Sequence, residues 1–341
     1  MHPKIVLPGL RCDTPDALSA LRSVQLPALA FLLGHARIRP GQAQAGTAAF
    51  AAACGTANAA PAVLRRAGEP GLPDLRPGEI WLCADPVGLH FARDQLILAE
   101  PGSLAISADE AAALAPALAE ALRDAGEFVL AAPERGYLKL AAPSEAEFSD
   151  LLDVAGRPVA LFLPEGPGSL RWGRIFNELQ ITLHDLPLNR RREAAGKRLI
   201  NSLWFWGEGQ SDVTPLITAA QVYSDNPVGC GLARLAGKPC ATVADFATPG
   251  ATLDALLLID ALDTPARFRD TSRWLDALIT LEAAVFEPLA QRIRRGELKR
   301  VDIHAPGERD GIEIAVRAQS WAFWRKPRSP ECLLAPTESA R

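Results

Sequence analysis

Apolar and polar positions alternate at two periods along this chain, and the two periods sort it into strands and helices. Residues 3–7, PKIVL, predict a short buried strand closed by Pro8-Gly9. Leu18, Leu21, Leu26, Leu29 and Leu32 recur near helical spacing and predict a helix over 15–35, kinked at Pro27. Residues 39–78 are rich in Ala, Gly and Pro and predict a short Ala-rich helix within long loops. Alternation at 79–84 and 90–99 predicts two strands. Ser107 and Glu110 then have the spacing of a capping box before AAALAPALAEALRDAG, with Gly126 as the stop. Residues 127–132 and 136–142 predict a hairpin around Pro133-Glu134-Arg135. This order, strand-strand-helix-strand-strand, is that of a compact α+β unit.

The second half has a different character. Leu170, Trp172, Ile175, Phe176, Leu179 and Leu183 predict an amphipathic helix over 168–185, ended by Pro187. A basic segment, NRRREAAGKR, leads into the strand LINSLWFW. A further strand at 255–260 precedes a long helix from about Asp270 to Gly296. RVDIHA and GIEIAVRA predict a closing hairpin over PGERD. Strands alternating with helices predict a mostly parallel α/β core with an antiparallel edge.

Composition narrows the function classes. The chain has 341 residues and a net charge of −4, which gives no electrostatic reason to expect nucleic acid or an anionic membrane as partner. The start, MHPKIVLPGLRCD, lacks the apolar run of a signal peptide, and no apolar stretch reaches the ~20 residues of a spanning helix. The six cysteines form no CxxC pair and are expected to be free thiols in a reducing cytoplasm.

Three stretches are candidates for chemistry. In NSLWFWGEGQ, Leu203 and Phe205 point to one face of a strand and Trp204 and Trp206 to the other, as in a strand covered on both sides. Gly207 and Gly209 would then stand at its carboxyl end, where ligands bind in open α/β sheets, or they form an ordinary tight turn. His184, Asn189, Arg190, Arg191 and Arg192 suit phosphate or carboxylate recognition, or form a solvated charge cluster. Asp225, Asn226, Gly229 and Gly231 lead into a short helix, as a ligand loop or as a plain cap. There is no GxSxG elbow, and the five histidines show no metal-ligand spacing.

Taken in order, these segments resemble the archaeal-type cofactor-independent phosphoglycerate mutases of the alkaline-phosphatase superfamily, and most closely a bacterial side branch that includes regulatory proteins. LCADPVGLHFARDQLIL with ISADEAAALAPAL looks like that family's insert domain, and NELQITLHDLPLNRRREAAGKRLINSLWFWGEG carries the strongest likeness. The resemblance implies an alkaline-phosphatase-like core of mostly parallel sheet flanked by helices, with an inserted α+β domain. Its expected boundaries are 1–74 and 166–341 for the core and 75–165 for the insert. It also implies a pocket bordered by His184, Asn189, Arg190, Arg192, Asn201, Trp206, Gly207, Gly209 and Asp225.

The departures from the family bear on activity. Pro8-Gly9 stands where the mutases have a metal-binding Asp-Gly pair, and Pro cannot coordinate a metal. Residues 39–75 contain no serine to match the phosphorylated one, leaving Thr47 and Thr56. Asp260, Asp263 and Asp270 lack the accompanying His, and Asp302 and His304 are separated by one residue. Without nucleophile and metals, phosphoryl transfer by that route loses covalent catalysis and charge stabilisation together. The expectation is therefore a mutase-like cytoplasmic protein that has lost the reaction, with no cofactor. It would bind a small phosphorylated or carboxylated ligand, or a protein partner, in a regulatory role. The alternatives are an active mutase or phosphatase with a rearranged Mn or Zn site, and a purely structural interaction protein.

Overall fold

The computed structural model describes residues 2–44, 46–99, 102–317 and 326–334. Its contacts divide the chain into two compact units, Met1–Asn58 with Thr214–Arg341, and Ala59–Val213. The segment 166–213, read from sequence as the return into the core, lies in the second unit. In chain order the strands are β1 (Lys4–Val6), β2 (Ala36–Gly41), β3 (Ile80–Val87), β4 (Leu89–Ala92), β5 (Gln95–Leu98), β6 (Glu127–Ala132), β7 (Arg135–Leu140), β8 (Ser202–Gln210), β9 (Gln221–Tyr223), β10 (Cys240–Ala241), β11 (Ala255–Leu258), β12 (Arg300–Pro306) and β13 (Gly311–Arg317).

The first unit is built on a seven-stranded sheet of order β10-β9-β11-β1-β12-β13-β2. The pairs from β10 to β12 are parallel, and β13 and β2 complete the sheet antiparallel. This is the expected parallel α/β core with an antiparallel edge. Its strands are short and apolar because both faces are covered. Ile5, Leu257 and Ile303 pack on one face with Trp274, Phe286 and Leu289 of the long helix. Leu258 faces the other way, toward the helix Pro227–Leu235, where a Cβ on Gly229 would stand 3.3 Å from its own.

Local chemistry explains most boundaries. The expected 15–35 helix is two helices, Ala17–Ser23 and Pro27–Gly34, bent by 109°. Pro27 opens the second helix at its first turn, where a missing N–H costs nothing, and so restarts the helix rather than kinking it. No single helix among the described residues is long and apolar enough to cross a membrane. The long helix is Thr271–Leu281, a π turn over Glu282–Phe286, and Glu287–Arg294. The Asp270 side chain accepts from Arg273 N–H at its start, and Gly296 follows its end at φ 75°. The 39–78 region holds two short helices, Ala48–Ala53 and Pro61–Ala67, and is preceded by the unanticipated strand β2.

The second unit carries a four-stranded antiparallel sheet of order β6-β7-β3-β8 and the small hairpin β4-β5. The single strand expected over 90–99 is in fact this hairpin, turned at Arg93, which adopts φ 59°. The capping box forms as anticipated: Glu110 N–H donates to Ser107 Oγ at 3.2 Å, and Ser107 N–H donates to Glu110 Oε2 at 2.9 Å. Helices Ala108–Leu122 and Ser169–His184 cover one sheet face, with Leu114, Leu118, Trp172 and Leu179 packed on Leu82, Leu138, Leu203 and Phe205. Leu170, expected on the buried stripe, is 78% exposed at the start of its helix.

Candidate functional site

The strand carrying Trp204, Phe205 and Trp206 does not lie in the parallel sheet. It is β8, at one side of the antiparallel sheet, and it runs through the glycines to Gln210 instead of turning at them. Leu203 and Phe205 do face the helical layer, and Trp206 faces the opposite one, where the helix Pro61–Ala67 packs. Gly207 and Glu208 together oppose the single residue Leu82, which is a β-bulge. Gly207 takes φ 67°, and a Cβ there would stand 3.0 Å from Pro61 Cβ. A Cβ on Gly209 would meet Ala60 Cβ at 2.1 Å. These glycines let a helix approach the strand, which is a packing reason for them. Trp206 Nε1 donates to buried Asp85 at 2.8 Å.

The other expected pocket residues differ in burial and in their hydrogen-bond partners. Asn189 is buried; its Nδ2 donates to Leu183 O and Ile200 O at 2.7 Å each, and its Oδ1 accepts from Ile200 N–H. Arg192 is buried too and donates to Leu104 O, Arg198 O and Glu110. Asn201 mimics a strand partner by exchanging two hydrogen bonds with the Leu89 backbone. Arg190 and His184 are exposed. Pro187 starts a helix, Pro187–Ala194, that presents Asn189 and Arg192 inward and Arg190 and Arg191 outward. Asp225 belongs to the first unit, where it is exposed and accepts from Val243 N–H at 3.2 Å.

A cavity of about 700 Å³ does open at the carboxyl ends of β1 and β12, beside the segment that follows β11. That edge is where parallel sheets gather ligands. β1 continues as Leu7–Gly9 along β12, with Gly9 N–H donating to Pro306 O at 3.1 Å. Gly9 has φ 78°, and a Cβ there would lie 2.4 Å from Leu262 O. Trp274 Nε1 holds Gly9 O at 2.9 Å. The chain then delivers Arg11, Cys12, Asp13 and Thr14 to the cavity wall. Asp263, at the start of a short helix after β11, accepts from Gly46 N–H at 3.3 Å, beside Thr47 at the head of Ala48–Ala53. Burial pushes the Asp263 carboxyl up to about 6, against the opposing charge of Arg267.

The rim is ionic. Arg11 pairs with Asp310 at 2.5 Å, Arg267 with Glu308 at 2.8 Å, Arg22 with Glu331 at 3.0 Å and Arg309 with Asp13 at 3.8 Å. Five arginines (Arg11, Arg22, Arg267, Arg269, Arg309) meet five acids (Asp13, Asp263, Glu308, Asp310, Glu331), so the wall is balanced rather than strongly cationic. Of this set the sequence singled out Asp263; the arginines are scattered from 11 to 309, and no local spacing marks them as one surface.

The residues that would have to hold the metals of a mutase are engaged separately. Asp260 accepts from Asn226 Nδ2 at 2.5 Å, and burial raises its carboxyl despite that bond. His304 Nδ1 contacts Glu313. Asp302 is buried enough to raise it, yet hydrogen bonds from Arg300, Arg317 and His2 hold it at about 2. Among the described residues, no three His, Cys, Asp or Glu side chains come together as a metal-ligand set. The donor set does not fit a two-metal centre.

No protein-family profile matches the chain. In sequence it is similar to a protein of Geobacter sulfurreducens described as a probable 2,3-bisphosphoglycerate-independent phosphoglycerate mutase, with 37% identity over 59 residues, 17% of this chain and 15% of that one. It is also similar to the 2,3-bisphosphoglycerate-independent phosphoglycerate mutase of Methanothrix thermoacetophila, 26% identical over 236 residues, 62% of this chain and 59% of that one. The chain thus spans less than two thirds of either relative. Among solved structures, a Pyrococcus horikoshii protein matches 97% of this chain and 91% of its own at a TM-score of 0.56 and 15% identity. The cofactor-independent phosphoglycerate mutase of Thermoplasma acidophilum covers 97% and 94% at 0.46 and 12%. The chain is phosphoglycerate-mutase-like in its matched sequence, and its mixed α/β fold is shared with the Pyrococcus horikoshii protein.

Proposed function

We propose that this chain is a phosphoglycerate-mutase-like protein that has lost metal-dependent phosphoryl transfer and acts by binding, in a regulatory role like that of the bacterial branch it resembles. The observation that carries this reading is the dispersal of the candidate ligands. Asp13 is 93% exposed in its side chain beside Arg309, Asp260 is held by Asn226, Asp263 by Gly46 N–H and His304 by Glu313. Two cations about 4 Å apart need several such groups converging on one point. The ligand would be a small phosphorylated or carboxylated molecule in the carboxyl-edge cavity, held by Arg11, Arg267 or Arg309 after exchange of their present carboxylate partners. The site would be cytoplasmic and need no cofactor.

The alternative, an active mutase or phosphatase using Mn or Zn, draws its support from Thr47. This hydroxyl residue adjoins Gly46, whose amide meets Asp263, a carboxyl poised to exchange a proton near pH 6. Metal content and manganese-dependent turnover of 3-phosphoglycerate, measured on one preparation, separate the two. The binding reading expects neither metal nor turnover, together with heat on titration of 3-phosphoglycerate that Arg11→Ala reduces. Stoichiometric metal with turnover overturns it, and absence of any anion binding by the unmodified protein removes its ligand.

A further inference from the structure

Cys230 and Cys240 are far from any CxxC spacing, yet the fold brings their sulfurs together. Cys240 lies on β10, the two-residue strand at one side of the parallel sheet. Cys230 lies in the second half of the Pro227–Leu235 helix's first turn, and that helix packs against β10. Both thiols point at one backbone oxygen: Cys230 Sγ donates to Ser224 O at 3.4 Å, and Cys240 Sγ is 3.9 Å from the same atom. The Cys240 thiol is also hydrogen-bonded to Cys230. Both residues are partly exposed, whereas Cys12, Cys54 and Cys83 are buried.

We propose that Cys230 and Cys240 form an oxidisable dithiol, a modification site that a peroxide converts reversibly to a disulfide. The proposal is independent of what the carboxyl-edge cavity binds.

The chemistry divides between the two sulfurs. The hydrogen bond from Cys240 holds the Cys230 thiol below its ordinary range, against the burial that raises it. The Cys240 thiol, as the donor, is held above. A more readily ionised, accessible thiol is the one that attacks peroxide. The Cys230 thiolate takes an oxygen from hydrogen peroxide: an S–O bond forms, the O–O bond breaks, and the departing hydroxide leaves as water once protonated. Cys240 then attacks that sulfenic sulfur; the S–S bond forms, the S–O bond breaks, and a second water leaves. Two thiols and one peroxide give one disulfide and two waters. By contrast, burial raises the thiols of Cys12, Cys83 and Cys54, the last to about 11, which keeps them protonated and slow.

The test uses the full chain. The protein is treated with hydrogen peroxide, free thiols are alkylated, and tryptic peptides are analysed without reduction. Cleavage after Arg234 separates the two cysteines, so only a disulfide can join their peptides. The expected result is a linked Cys230–Cys240 peptide, two hydrogens lighter than its parts, that dithiothreitol releases. Before oxidation, Cys230 should be alkylated at least about tenfold faster than Cys54 or Cys83. Cys230→Ser and Cys240→Ser should each abolish the linked peptide. The proposal is overturned if both cysteines of the unmodified protein stay alkylatable after peroxide, if Cys230 proceeds to sulfinic acid unlinked, or if the linked peptide contains another cysteine.

Discussion

Trp206 and Arg65 share one carboxylate oxygen: each donates to Asp85 Oδ2 at 2.8 Å, and the guanidinium lies 5.0 Å from the Trp206 ring centroid. Asp85 Oδ1 takes a second guanidinium bond at 2.6 Å and the Gly136 N–H at 3.0 Å. Arg65 is 7% exposed and Asp85 1%, so this is a buried ion pair whose lone pairs and protons are largely satisfied. Removing one partner leaves the other charged and dry, which costs about 3–5 kcal/mol. Asp85→Ala should lower unfolding free energy in urea by that amount, and Trp206→Phe by about 1.5–3 kcal/mol for one charge-assisted bond. A loss below ~1 kcal/mol for Asp85→Ala would mean the network is relaxed in solution.

Adjacent arginines should behave oppositely. Arg192 is 1% exposed and donates to Glu110 at 2.7 Å, the same carboxylate that completes the Ser107 capping box. Arg192→Ala therefore loosens a helix start as well as an ion pair, and should cost about 3 kcal/mol. Exposed Arg190→Ala should change stability by less than about 0.5 kcal/mol. Thermal melts of both variants decide this, and equal small effects would restore the reading of this cluster as a free anion-binding surface.

How far sequence could lead depends on how local each cause is. The Ser107–Glu110 box and the β12–β13 hairpin are set by residues a few positions apart, and both stand as anticipated. The sheet membership of β8 was not legible, because a strand apolar on both faces reads alike inside a parallel sheet or beneath two layers in an antiparallel one. β2 was hidden for the opposite reason: ARIRPG is an edge strand whose outward arginines and Pro40 hide the apolar alternation. The role of the Asn and Arg residues was not legible, because beside glycines they look the same whether their donors meet a ligand or, as in Asn189, the chain's own carbonyls. Arg65 lies in the stretch 39–78, read as a short helix within long loops, and its pairing with Asp85 spans 20 positions, beyond any periodic signal.

Stability should respond to pH in two windows of opposite sign. The Asp263 carboxyl is raised by burial from its ordinary 3.8 to about 6, so the folded state binds more protons than the unfolded one between those values. The stability it contributes is present below 3.8 and is lost as pH rises toward 6. Asp302, held at about 2 despite its burial, works the other way: its contribution is present above 3.8 and is lost as pH falls toward 2. Asp263→Asn should flatten the unfolding free energy between pH 4 and 6, and Arg317→Ala should weaken the acid-side fall. An unchanged slope in Asp263→Asn would place the titration elsewhere.

Gly9→Ala tests the cavity floor. The left-handed φ of 78° alone costs a non-glycine residue about 1–3 kcal/mol, and the new Cβ would stand 2.4 Å from Leu262 O. The substitution should lower the melting temperature by several degrees and raise proteolytic sensitivity around Leu262. A melting temperature equal to that of the unmodified protein would show that the β1 exit can move.

The strand order has a consequence for how this polypeptide is made. Lys4 of β1 is registered with Leu256 on one side and Asp302 on the other, so the centre of the parallel sheet waits for partners some 250 to 300 positions downstream. Ala59–Val213 is one continuous segment. During synthesis the chain emerges amino-terminus first at about 5–20 residues per second, and domains fold as units. The middle unit is thus complete on the ribosome while the first strand is still unpaired. The apolar amino-terminal segment, Ile5 to Leu33, therefore waits tens of seconds until β11 and β12 arrive to pair with its strand.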